Sequence, residues 1–152
     1  MFFDLDSAQG EWFPFFSSHI DPVTGEPVYE DPENDARVQI RSIAPFIEER
    51  MAKRKRISEH VYNPKTRAME RITYFAEQSP DELRVERDDL WDYAITGIEG
   101  FKDSKTGQVI VCNRENKLKL MKVPVFDRFV ARCQQLLASS GVKAKEEEEK
   151  NL

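Results

Sequence analysis

The sequence predicts an α+β fold: small antiparallel sheet elements with three or four helices, the last amphipathic. Three observations predict it. Residues 36–43 alternate, with Val38 and Ile40 on one side and Arg37, Gln39 and Arg41 on the other, which is the period of a half-buried strand. Ser79-Pro80-Asp81-Glu82 is a helix start, with Ser79 as cap, Pro80 at the first helical position and Glu82 completing a capping box. Beyond Pro124, Val125, Phe126, Phe129, Val130, Cys133, Leu136 and Leu137 recur on one helical face.

The remaining elements follow in chain order. Glu11-Trp12-Phe13-Pro14-Phe15-Phe16 reads as an extended segment, and Pro14 excludes it from a central strand because it has no N–H for the ladder. Asp21-Pro22-Val23-Thr24-Gly25 is a turn, and Pro27-Val28-Tyr29 is the return strand of a hairpin. An acidic loop over 31–35 precedes the alternating strand. Pro45 opens a helix that runs to about Arg56, with Phe46, Ile47, Arg50, Met51 and Arg54 at helical spacing. Two strands, 57–62 and 68–75, flank the turn Asn63-Pro64-Lys65-Thr66-Arg67.

After the Ser79 cap, Leu83, Leu90 and Trp91 line one helix face, and Gly97 and Gly100 break the helix after Tyr93. Asp103-Ser104-Lys105-Thr106-Gly107 turns into a strand over 108–112. Asn113 caps a short helix, and Pro124 begins the long amphipathic one, with Gly141 as its stop. One α+β domain therefore covers residues 1–141. Residues 142–152, with four consecutive Glu, are expected to be a charged, disordered tail. The echo between Asp21-x-x-Thr24-Gly25 and Asp103-x-x-Thr106-Gly107 reflects shared hairpin chemistry rather than duplication.

Composition narrows the function classes. Ten Phe, four Tyr and two Trp in 152 residues are too many for a disordered chain. A net charge of −5 argues against nucleic acid as the main partner, since phosphate binding needs a basic face. The cluster Arg50, Lys53, Arg54, Lys55 and Arg56 is the local exception, and a solvated helix end explains it better. Cys112 and Cys133 are expected to be reduced core residues. The acidic stretch Met1-Phe2-Phe3-Asp4-Leu5-Asp6 lacks the basic start of a signal peptide, and no apolar run approaches membrane-span length. A cytoplasmic protein with no membrane contact is the expectation.

Chemistry has little to work with. His19 and His60 lie in separate segments, and His19 after Ser17-Ser18 lacks the strand-to-helix elbow that presents a serine nucleophile. Glu26, Glu30, Asp31, Glu33 and Asp35 lack the alternation and central Gly of a calcium loop. No Cys/His set has zinc spacing, and Gly97-Ile98-Glu99-Gly100 lacks the Lys and Ser/Thr of a phosphate-binding loop. The chain is thus read as a non-enzyme without metal or cofactor. What remains is apolar surface. Phe13, Phe15 and Phe16 beside a proline are hard to bury in one layer, and excess apolar surface marks interaction sites. These three are the candidate partner contacts, joined by Phe126, Phe129 and Val130 if the last helix is not fully buried.

The order of these features resembles the tail assembly chaperones of long-tailed bacteriophages. The resemblance spans roughly residues 12–138. It rests on the β-rich start entering Ala36-Arg37-Val38-Gln39-Ile40-Arg41-Ser42-Ile43 and on the helix after Pro45. It continues through the acidic helix running into Trp91-Asp92-Tyr93-Ala94-Ile95-Thr96-Gly97-Ile98-Glu99-Gly100-Phe101, a Gly-turn hairpin to Val109-Ile110-Val111, and the closing helix with Phe126, Phe129 and Val130. The resemblance implies a protein that coats the long, helix-rich tape measure protein in the host bacterial cytoplasm and keeps it soluble while the tail tube polymerises. The tail tube protein is then a second contact, and a homo-oligomer is compatible with the role. Two alternatives are a structural tail or head component and a small nucleic-acid-binding regulator using residues 50–56.

Overall fold

Val38 and Ile40 are fully buried, and the larger part of the molecule is built around them. They lie on the strand β4 (Arg37–Ile40), the middle strand of a three-stranded antiparallel sheet. On one side runs β1 (Glu11–Pro14), with Phe13 opposite Val38 and Pro14 opposite Arg37. On the other runs β7 (Ile95–Glu99), with Ile98 opposite Val38 and a register shift between Gln39 and Ile40. Pro14 therefore sits at a sheet edge, where its missing N–H leaves no gap in the ladder. The computed structural model describes residues 9–32 and 35–150. The acidic stretch 1–6, residues 33–34 of the acidic loop and the last two residues of the expected tail lie outside these.

The fold is α+β, with four helices and three small antiparallel sheets among the described residues. Contacts cluster in two compact units: residues 1–43 with 88–152, and residues 44–87. The residues expected as one domain over 1–141 are divided between them.

In the first unit a hairpin of β2 (Ser18–Ile20) and β3 (Pro27–Tyr29) follows β1. The sheet is covered by α4 (Pro124–Lys150), whose Phe126, Phe129, Val130 and Cys133 are buried with Val38, Ile40, Ile95 and Ile98. Met121, at the end of α3 (Arg114–Met121), closes the same core. Asn113 caps α3 as expected, its side chain accepting from Asn116 N–H at 2.9 Å. Gln134 on α4 secures the exit from β4: its Nε2 donates to the Arg41 carbonyl (2.8 Å), and its Oε1 accepts from Ile43 N–H (3.1 Å).

Three expectations change here. Residues 95–99 form a strand directly after the helix, because Gly97 packs under Trp12 and beside Gln39 rather than breaking the chain. Residues 108–112 form no strand. Only a Lys102–Val109 bridge forms, and Val109 and Val111 stay exposed, since nothing pairs with the outer side of that run. Gly141 does not stop α4, which continues to Lys150. The residues after it are Lys, Ala and Glu-rich helix formers, which outweigh the ~1 kcal/mol cost of one Gly.

The second unit contains α1 (Ala44–Lys53), the hairpin of β5 (Arg56–Asn63) and β6 (Ala68–Phe75), and the start of α2 (Pro80–Ala94). Ser79 caps α2 through its hydroxyl, which accepts from Glu82 N–H at 3.1 Å. Leu83, expected on the packed face of α2, is exposed, whereas Leu90 and Trp91 are half-buried.

One loop recurs three times. Asp21, Asn63 and Asp103 each accept, through a side-chain oxygen, the N–H two residues on, at 2.8–2.9 Å. In each loop the N–H four residues on donates to the same residue's carbonyl at 2.8 Å. The donors of this second bond are Gly25, Arg67 and Gly107, all at positive φ. This composition favours a turn ending in the left-handed region, and Arg67 fills a seat that glycine holds in the other two.

Candidate interaction surface

The six apolar residues nominated as partner contacts belong to the interior of the first unit. Phe126 is 3% exposed, and Phe129 and Val130 are 0%. Phe13, Phe15 and Phe16 are half-buried and packed against the same core. The Phe15 ring lies 5.0 Å from Phe129 and 5.3 Å from Phe101, and Phe16 lies 4.9 Å from Phe129, at aromatic contact distances. The condition for using the α4 residues, an incompletely buried helix, is not met at these positions. The segment around Pro14 buries its rings because α4 and Phe101 give it a second layer, which composition does not reveal.

The polar groups disperse. His19 is exposed and lies 3.5 Å from Glu30, and His60 sits opposite Arg71 on the β5–β6 hairpin. Among the described residues no three His, Cys, Asp or Glu side chains are grouped to hold a metal ion. Cys112 and Cys133 are both free thiols, and burial pushes the Cys133 thiol up to about 12.

The basic cluster is largely engaged. Lys53 pairs with Glu49 at 2.7 Å, and the Arg50 and Arg56 guanidinium groups lie over the rings of Phe46 and Phe75. Arg54 donates to Gln78 Oε1 (2.8 Å) and meets Glu86 at 3.7 Å. Arg50, Lys53, Arg54 and Lys55 with Glu77, Glu82 and Glu86 line an open cleft of about 440 Å³ whose charges are mixed. Such a cleft has no single-sign field to steer an anion.

The distinctive surface is the second unit itself. No residue from 44 to 87 is buried. Ile47, Met51, Val61, Tyr62, Met69, Ile72, Tyr74, Phe75, Leu83 and Val85 are all exposed there. A two-stranded hairpin is marginal in water, and so is a ten-residue helix, unless each packs on something.

The register separates the hairpin into two faces, since paired residues share a side. One face carries Ile57, Val61, Ile72 and Tyr74 with Glu59 and Glu70. Tyr74 donates to Glu59 at 2.7 Å, which raises the pKa of the phenol, and Asn63 donates to Glu70 at 3.0 Å. The other face carries Tyr62, Met69 and Phe75 with Arg56, His60 and Arg71, and a Ser58–Thr73 hydroxyl contact at 3.2 Å lies at its middle. Sequence reading identified the hairpin but not its exposure. The available signal was its alternation, which puts apolar groups on both faces.

No helix among the described residues is long and apolar enough to cross a membrane. No family model, no curated protein and no solved structure matches the chain.

Proposed function

We propose that this chain is a non-enzymatic assembly chaperone that binds another protein through residues 44–87. On its resemblance to tail assembly chaperones, the partner is the tape measure protein of a phage or prophage tail, held soluble in the host bacterial cytoplasm. One observation carries the binding reading: a 44-residue unit exposes ten large apolar side chains and buries none. Val61, Ile72 and Tyr74 share one face of the hairpin with the half-buried Ile57, and neighbouring exposed apolar groups of this kind mark an interaction site. A long amphipathic helix offers the complementary stripe, and the flanking Glu59 and Glu70 favour basic residues beside it. Modest affinity per copy, multiplied along a long partner, permits displacement by tail tube subunits.

Co-expression with the longest coiled-coil-like protein encoded beside this chain, taken as the tape measure protein, tests the proposal. The soluble fraction of the tape measure protein is expected to rise, the two to co-purify, and the double variant Val61→Ser, Ile72→Ser to abolish both effects while the first unit stays folded. Unchanged solubility without co-purification overturns it. Retention of this chain in purified particles instead identifies a structural tail or head component.

A further inference from the structure

The outer edge of β6 is bare. Among the described residues no strand pairs with it. At the open end of the hairpin, Ala76 N–H donates to the Lys55 carbonyl at 2.9 Å. Hydrogen-bonded and non-hydrogen-bonded pairs alternate in an antiparallel ladder. Counting back from Ala76, residues 68, 70, 72 and 74 turn their backbone groups toward β5. Met69, Arg71, Thr73 and Phe75 turn theirs outward.

Proteins usually defend such an edge with proline, lysine, a bulge or a very short strand. β6 is eight residues long, contains neither proline nor lysine, carries only Glu70 and Arg71 as charged residues, and keeps an unbroken register with β5 over its whole length. We propose that β6 pairs with β6 of a second copy of this chain, antiparallel, across a twofold axis through Ile72.

Charge selects that register. Only steps of two residues keep each side chain on its own face. With the axis at Ile72, Arg71 meets Thr73 of the second copy, Glu70 meets Tyr74, and Met69 meets Phe75. An axis at Arg71 sets two guanidinium groups opposite each other, and an axis at Glu70 sets two carboxylates opposite each other. Like charges directly opposite are destabilising. An axis at Thr73 avoids that conflict but pairs fewer residues. The contact is isologous and closes as a dimer.

Pairing converts two marginal hairpins into one four-stranded sheet, above the size at which a sheet with an apolar face holds its own structure. It also doubles the platform of Ile57, Val61, Ile72 and Tyr74. The dimer deepens the binding role proposed above by giving a helical partner a wider seat, but it stands on the edge and its register, whatever protein occupies the face.

The full-length chain in a Cys112→Ser background provides the test, by sedimentation equilibrium across the micromolar range and by mild oxidation. The expected mass is twice the 17.7 kDa of the chain. Ile72→Cys is expected to form a covalent dimer, because residues on the axis face each other, whereas His60→Cys on β5 is not. Thr73→Pro removes an outward N–H and is expected to weaken association by roughly tenfold or more, about 1.4 kcal/mol, relative to Thr73→Ala, which loses the same hydroxyl contact to Ser58 but keeps the N–H. Ile72→Lys, an exposed change that leaves the monomer intact, is expected to dissociate the dimer at low salt and to recover partly at high salt. A monomer at every concentration, or cross-linking through His60→Cys instead of Ile72→Cys, overturns the proposal. A dimer that fails to solubilise the tape measure protein removes that partner and leaves the edge pairing standing.

Discussion

Arg128 holds Ser18 by two hydrogen bonds, its Nε donating to the hydroxyl at 2.8 Å and its Nη2 to the carbonyl at 2.9 Å. Ser18 is the one buried polar residue among those described, and Arg128 reaches it from the first turns of α4. The fork of the guanidinium serves both acceptors at once, which a single ammonium cannot do with the same geometry. Replacing Arg128 with Ala is therefore expected to cost about 1–3 kcal/mol, the penalty of leaving buried polar atoms unpaired. Arg128→Lys is expected to recover part of that loss. Urea denaturation followed by circular dichroism checks both, and an unchanged midpoint for Arg128→Ala would remove the bond from the account of the fold.

Gly97 gives a second prediction. A Cβ built there would lie 2.7 Å from Trp12 Cη2 and 3.1 Å from Gln39 Cβ. The Arg37 guanidinium stands 4.3 Å from the centre of the Trp12 ring. Gly97→Ala must displace that indole, at a cost on the order of 1–3 kcal/mol for overpacking. A lower melting temperature with a shifted tryptophan emission is the expected result.

Arg67 predicts the opposite sign. Its φ of 55° is the left-handed conformation that Gly25 and Gly107 adopt in the two sister loops. Arg67→Gly removes a steric cost of roughly 1–2 kcal/mol and adds unfolded-state entropy worth about half of that. The net expectation is slower hydrogen exchange across β5 and β6. Faster exchange there would mean that Arg67 makes a favourable contact outweighing its backbone.

The two cysteines separate by reactivity and by pH. Cys133 is fully buried, and desolvation is the main cause lifting its thiol from 9.0 to about 12, while Cys112 is only half-buried. A thiol reagent is expected to modify Cys112 in the native protein and Cys133 only after unfolding. The folded state keeps the Cys133 proton where the unfolded chain has lost it. Its contribution to stability is therefore present below pH 9.0 and is lost as pH rises toward about 12. Cys133→Ala is expected to flatten the alkaline part of the stability curve, with denaturant midpoints at pH 8 and about pH 10.5 as the comparison.

Local chemistry was legible wherever one residue type has one job. Pro14 marked a sheet edge, Ser79 and Asn113 marked helix starts, and Asp21, Asn63 and Asp103 marked turns. The alternation of Val38 and Ile40 located the central strand. β7 was hidden because five residues follow a helix with no breaker between Ala94 and Ile95, and Gly97 looked like punctuation. The interaction surface was hidden for a different reason. Apolar residues prefer the interior, yet the rule does not say which of them get there. Phe15 and Phe129 looked surplus and meet inside, whereas Val61 and Ile72 looked ordinary and face water.

The position of α4 in the chain has a consequence for synthesis. Ile40 and Phe129 share one core but are separated by roughly 90 residues, so on the order of ten seconds of translation pass between them. Throughout that interval the apolar side of β4 has no cover. The β5–β6 hairpin, whose contacts are local, is complete long before. Nascent chains are thus expected to carry an unfinished core through that interval. Any truncation before Phe126 leaves the sheet permanently open, a fate for quality-control proteases rather than for a working molecule.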